Sequence, residues 1–138
     1  MASENNITVR LPPQDELARR WHVIEPLLAR ATARSRCYEP IDVLRLAMAG
    51  QMMIWIVERE GKIVAVLVSK VTQYPRRRIL EMLFAGGSRM KEWLPIAIPL
   101  FDQCARETGC DSIASVGRKG WARAWGGVAV DTVCVREL

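Results

Sequence analysis

Arg78-Ile79-Leu80-Glu81-Met82-Leu83-Phe84-Ala85-Gly86-Gly87-Ser88-Arg89-Met90-Lys91-Glu92-Trp93 decides how the rest of the chain is read. An apolar run ends at two glycines, and a long apolar segment at helical spacing begins just beyond them. The spacing predicts a strand over Ile79 to Phe84, a glycine turn and then a helix. A strand running into a helix leaves backbone N–H groups at the helix start, where the dipole favours an anion. A phosphate-bearing cofactor is the candidate guest. The alternative is a plain turn in which glycine supplies a positive φ.

Working outward from that stretch, the helix is marked by Trp93, Ile96, Leu100 and Cys104 on one face, widened by Leu94, Ile98, Phe101 and Ala105. So broad an apolar surface predicts a central, largely buried helix. Pro95 fits its first turn, Pro99 predicts a bend or a later start, and Gly109 predicts its end. Ser112-Ile113-Ala114-Ser115-Val116 follows as a strand reached by crossover. A short helix over Gly117 to Trp125 and a last strand from Val128 to Val135 complete this side.

Upstream, Ile7-Thr8-Val9-Arg10-Leu11 alternates as a first strand, stopped by Pro12-Pro13. Leu17, Trp21, Ile24, Leu28 and Ala31 recur at helical steps, with a kink or break expected at Pro26. A second helix runs from Pro40 to Ala49, with Gly50 just past its end. Met53 to Glu58 and Ile63 to Val71 then read as a hairpin turned at Arg59-Glu60-Gly61-Lys62, the second strand apolar enough to be covered on both faces. Tyr74-Pro75-Arg76-Arg77-Arg78 reads as a basic loop. The order is β-α-α-β-β-β-α-β-α-β, an α/β arrangement with a mixed sheet and helices on both faces.

With 138 residues, the chain suits a single domain, 1–138, with one core. Half the residues are hydrophobic and a quarter charged, an ordinary globular balance. No apolar run is long enough to span a bilayer, and Met1-Ala2-Ser3-Glu4-Asn5-Asn6 lacks the basic and apolar halves of a signal peptide. A soluble cytoplasmic protein is the expectation. Its net charge of +5 admits nucleic acid, an acidic partner or a polyanionic cofactor. Arg76-Arg77-Arg78 beside Tyr74 is a compact basic cluster, yet no nucleic-acid motif accompanies it, so that partner is not the leading reading. Cys37, Cys104, Cys110 and Cys134 show no paired spacing, and the one histidine, His22, lies far from them in sequence. Zinc ligation is not expected, and the cysteines are read as buried, reduced thiols.

The element order, with a glycine turn between fourth strand and main helix, resembles the GNAT N-acetyltransferase family. Three places carry the resemblance: Ile79 to Gly87, Ala105 to Ile113, and Gly117-Arg118-Lys119-Gly120-Trp121-Ala122-Arg123-Ala124-Trp125-Gly126-Gly127. The last stretch is also similar to small bacteriophage- and prophage-encoded proteins of this type. The resemblance implies that Phe84, Ala85, Gly86, Gly87, Ser88 and Arg89 hold the pyrophosphate of acetyl-coenzyme A and that Glu81 is the general base. A setting between Leu80 and Met82 would raise the carboxyl group's pKa for that task. The family's phosphate loop is normally Arg/Gln-x-x-Gly-x-Gly/Ala, a spacing that Gly86-Gly87-Ser88-Arg89 does not reproduce. The family's general acid is commonly a tyrosine in the last helix, where this chain has Trp121 and Trp125. Tryptophan cannot supply that proton.

Those two departures favour a catalytically degenerate protein with weak or lost acetyl-coenzyme A binding, acting as a virion-associated, assembly or interaction component. Arg118, Trp121, Arg123 and Trp125 would form its protein interface with a virion or host partner, since tryptophan and arginine are enriched at interfaces. The alternative is an acetyl-coenzyme A-dependent N-acetyltransferase acting on a primary amine.

Overall fold

A computed structural model describes residues 6–33, 35, 37–115 and 136. The expected last helix and last strand lie outside these residues, as do Arg118, Trp121, Arg123, Trp125 and Cys134. The element order is β1 (Ile7–Arg10), α1 (Gln14–Arg19), α2 (Trp21–Thr32), α3 (Pro40–Met48), β2 (Met53–Arg59), β3 (Lys62–Gln73), β4 (Arg78–Gly87), α4 (Met90–Glu107) and β5 (Ser112–Ser115). The five described strands lie side by side in chain order. β1 to β4 pair antiparallel, and β5 joins β4 in parallel after the α4 crossover. This is the expected α/β arrangement, a mixed sheet flanked by helices.

Strand alternation divides the core in two. Trp55, Val57, Leu67, Leu80 and Met82 face α4, meeting Trp93, Ala97 and Phe101. Ile54, Ile56, Val66 and Val68 face the other way, onto Leu17, Ile24, Leu28 and Val43. β3 is covered on both sides from Ala65 to Ser69, as its continuous apolar run predicts. The Trp55 indole donates to the fully buried Ser69 hydroxyl at 2.9 Å and meets the Phe101 ring edge-on at 4.9 Å between centroids.

Several boundaries differ from the sequence reading. The first helical pattern breaks at Arg20, where φ is −102° and ψ 13°, and Pro26 sits inside an unbroken α2. The Arg20 side chain supplies a reason for that break: it reaches Glu16 in α1, Glu58 in β2 and the carbonyl of Gly61. Pro26 is exposed, so its ring faces water. In α4, which starts at Met90, Pro95 lies beyond the first turn and Pro99 neither breaks the helix nor shifts its start. Both are on the exposed face, where the carbonyls they strand can be hydrated. Only one face of α4 is fully buried, so it is an amphipathic cover and not a central helix. α3 begins with a capping box between Glu39 and Asp42 and with Pro40 in its first turn. Cys37 is exposed, contrary to the expectation of a buried thiol, whereas Cys104 is buried.

The glycines carry the main correction. β4 extends to Gly87, so Gly86 and Gly87 close a strand opposite Val66 and Ala65. The turn itself is Ser88-Arg89. A Cβ at position 86 would collide with the Leu27 carbonyl oxygen and press on Ala31 of α2. One at position 87 would strike the backbone of Val64 and Ala65, and φ there is +130°. Close approach of a helix and a neighbouring strand therefore accounts for both residues.

Candidate active site

At the end of β4 the chain turns through Arg89, which adopts the left-handed conformation at φ 65° and ψ 30°. The Arg89 carbonyl accepts from the N–H groups of Glu92, at 2.9 Å, and Trp93, at 3.1 Å. Ser88 N–H donates back to the Val64 carbonyl, and its own carbonyl accepts from the Trp93 indole at 3.0 Å. These bonds pin the turn from both sides. The N–H groups of Arg89, Met90 and Lys91 have no acceptor among the described residues. Three successive open donors at the start of an 18-residue helix are a fit for a phosphate or pyrophosphate.

Of the expected cofactor-binding set, Ser88 and Arg89 form this turn, while Gly86 and Gly87 are strand residues whose missing side chains serve packing. Phe84 turns its ring onto Tyr38, edge-on at 5.7 Å. Ala85 packs on the α4 side of the sheet. The Arg89 guanidinium pairs with Glu92 at 3.0 Å, on the exposed side of the first turn. Sequence reasoning missed Met90 and Lys91. Their donors belong to the backbone, and only the helix boundary reveals them.

Back along β4, the pairing with β3 slips by one residue. Phe84 faces Val68 and Met82 faces Ser69, which leaves Leu83 as a bulge. Described pairing with β5 runs from Ile79 to Met82 and goes no further. From Leu83 to Gly87, no described strand occupies that edge of β4.

Glu81 lies two residues before the bulge, on the sheet face opposite Leu80 and Met82. The apolar flanks seen in sequence therefore do not surround its carboxylate. The Thr72 hydroxyl donates to Oε1 and the Tyr74 phenol donates to Oε2 at 3.0 Å. Tyr74 comes from the β3–β4 loop, where its N–H closes the turn onto the Arg77 carbonyl at 2.7 Å. Its hydrogen bond to Glu81, then the charge of Glu81, hold the phenol above its ordinary range, so it stays protonated at neutral pH. Thr72 did not stand out in the sequence, and Tyr74 did so only as the neighbour of the basic cluster. The hairpin register places Lys70 opposite Glu81 and Thr72 diagonal to it on the same face, whereas Tyr74 reaches Glu81 from the loop.

The basic cluster divides. Arg76 and Arg77 are exposed, whereas Arg78 opens β4 and donates from Nε to the Thr108 carbonyl at the end of α4, at 2.7 Å. Among the described residues, no group of three or more histidine, cysteine or acidic side chains could hold a metal, and no helix is long and apolar enough to cross a membrane.

No protein-family model matches the sequence, and no curated protein sequence matches it. Solved structures do resemble it along nearly its whole length. An aminoglycoside acetyltransferase from an uncultured soil metagenomic sample, solved with sisomicin, superposes with a TM-score of 0.67 at 16% identity, covering 96% of this chain and 95% of that one. The ribosomal-protein-alanine N-acetyltransferase of Brucella melitensis biovar Abortus 2308 gives 0.67 at 13% identity, with 96% and 98% covered. An aminoglycoside N-acetyltransferase solved with CoA gives 0.67 at 12%, with 96% and 94% covered. At these identities the likeness is one of architecture: the chain has the GNAT acetyltransferase fold.

Proposed function

We propose that the protein is an acetyl-coenzyme A-dependent N-acetyltransferase acting on a primary amine. The observation that carries this reading is the start of α4, where the N–H groups of Arg89, Met90 and Lys91 stand open together. They would hold the cofactor's pyrophosphate, with the exposed Lys91 ammonium adding charge. When bound, the cofactor supplies an acetyl thioester. The edge of β4 from Leu83 to Gly87, unoccupied by any described strand, offers backbone groups to orient it. Glu81 sits beside this edge and takes the proton that an ammonium must lose before its nitrogen attacks. Thr72 and Tyr74 hold the carboxylate in place for that step.

A second reading keeps the fold without the chemistry, as an interaction or virion-associated component. One observation favours it: the Arg89–Glu92 pair sets a carboxylate at the helix start, where a phosphate would lie. The surface expected to serve that role, Arg118, Trp121, Arg123 and Trp125, is outside the described residues.

Calorimetric titration with acetyl-coenzyme A separates the two. The expected result is micromolar binding that weakens at least tenfold in Lys91→Glu. That substitution places an acid in the first helical turn, which favours the helix while repelling the phosphate. Weakened binding with an unchanged or raised melting temperature therefore reports on the ligand and not on folding. Absence of any binding heat in the unmodified protein would overturn the acetyltransferase reading.

A further inference from the structure

At the other end of β4 lies a cavity of about 640 Å³. Its position follows from the sheet register. β2 begins at Met53 opposite Ser69, so β3 from Lys70 to Gln73 has β4 on one side and no described strand on the other. The cavity fills that gap, between the loop that follows α3 and the end of α4. Tyr38, Leu46, Met52 and Met53 give it an apolar wall, and Lys70 and Arg78 give it two cations. Among the described residues, no acidic side chain lines it.

The Lys70 ammonium has no partner among the described residues, although a carboxylate stands opposite it. Lys70 stands directly opposite Glu81 on one face of the sheet, a position where opposite charges ordinarily pair. Glu81 instead spends its two oxygens on Thr72 and Tyr74. The Lys70 ammonium is left with no hydrogen bond or ion pair among the described residues. Arg78 is half engaged: Nε meets the Thr108 carbonyl and one terminal nitrogen reaches Gln73 at 3.5 Å. A cavity with an apolar wall, an unpaired ammonium and a partly free guanidinium is built for an anion carried on an apolar stem.

We propose that this cavity is the acceptor's anion subsite, so that the amine substrate also carries a carboxylate or phosphate. The proposal rests on Glu81 being the amine-facing group of the acetyltransferase reading. It then specifies the spacing. Lys70 lies directly opposite Glu81 on the same face, roughly 5 Å away, whereas Arg78, three residues along β4, lies on the α4 face. The substrate class is a zwitterionic amine whose positive and negative ends are separated by at least roughly 5 Å of apolar chain, the distance from Glu81 to Lys70.

The test measures binding to the full chain without cofactor, so its outcome is independent of whether acetyl-coenzyme A binds. Amide chemical-shift titrations would compare aminohexanoate, aminohexyl phosphate, hexylamine and hexanoate, with straight-chain ω-amino carboxylates from aminobutanoate to aminooctanoate to fix the spacing. The expected result is at least tenfold tighter binding of a zwitterion than of hexylamine, with shifts at Lys70 to Gln73. Which of the two zwitterions binds more tightly identifies the anion. Lys70→Met removes the charge at similar volume where no structural partner is lost, and should weaken zwitterion binding at least fivefold without altering hexylamine binding. Equal binding of hexylamine and both zwitterions, or zwitterion affinity unchanged in Lys70→Met, overturns the subsite. Zwitterion binding that Lys70→Met weakens, with no acetyl-coenzyme A binding, would keep the cavity as an anion site and overturn both the proposed activity and the cavity's role as an acceptor subsite.

Discussion

Glu81 is flanked by Leu80 and Met82 in sequence, yet both of its oxygens accept from hydroxyl groups on its own face of the sheet. That arrangement fixes the direction of the carboxylate and gives Tyr74 a role that no periodicity announces. Under the proposed activity, Glu81→Gln should lower kcat/KM on a primary amine by about a hundredfold or more, in line with the usual contribution of a positioned base. Tyr74→Phe should cost less, about tenfold, and chiefly in kcat, because Thr72 still holds one oxygen. Thiol release on acetyl transfer would measure both. Tyr74 is 43% exposed, so urea denaturation should find its variant within about 1 kcal/mol of the parent protein. A rate unchanged in Glu81→Gln would remove the carboxylate from the mechanism. The location of Glu81 on β4 was legible from the sequence because strand alternation is local. Its partners were not, because they depend on a register that a single residue of slip would change.

At the scale of elements, glycine and proline are where sequence and structure part. Both are read as punctuation, since each favours turns. Gly86 is instead the place where α2 comes within backbone contact of β4, and Gly87 the place where β4 meets β3. Pro95 and Pro99 lie four residues apart on one exposed face of α4, where a missing hydrogen bond can be made up by water. Local composition cannot separate a glycine needed for a turn from one needed for close packing. The difference is set by a helix more than fifty residues upstream in the chain. Gly86→Ala should therefore destabilise by about 1–3 kcal/mol, the usual cost of overpacking, and not by the few tenths expected of a permissive turn. Equilibrium urea unfolding would show it, and a loss below about 0.5 kcal/mol would mean that α2 can retreat at little cost.

Across the whole molecule, the order of the described elements along the chain and the presence of helices on both faces of the sheet were legible, because hydrophobic periodicity records burial directly. The polar tie between the first elements was not. Glu16 of α1 and Glu58 of β2 are bridged by Arg10 of β1 and by Arg20 at the α1–α2 junction, with nitrogen–oxygen distances of 2.6 to 2.9 Å. The hydrogen bonds from Arg10, then Arg20, hold the Glu16 carboxyl at about 2, down from an ordinary 4.5. A depressed carboxyl group adds stability above its unfolded value and loses it as pH falls through the folded one. The contribution is thus complete above about pH 5 and disappears toward about pH 2. Arg10 is 41% exposed, and solvent screening reduces the contribution to about 1–2 kcal/mol. Urea unfolding at several pH values should show stability falling over that window. Glu16→Gln should lie lower at neutral pH and converge with the parent protein in acid. Parallel curves would mean that Glu16 gains nothing from its two arginines.

The β2–β3–β4 meander has a kinetic consequence. Its turns close over a few residues, so its pairings form with little loss of chain entropy. The contact of α2 with Gly86 closes a far longer loop and belongs to the late side of the folding barrier. A methyl group at position 86 would then leave the refolding rate nearly untouched and speed unfolding, so the tight seam between α2 and β4 governs how long the folded molecule lasts more than how quickly it forms.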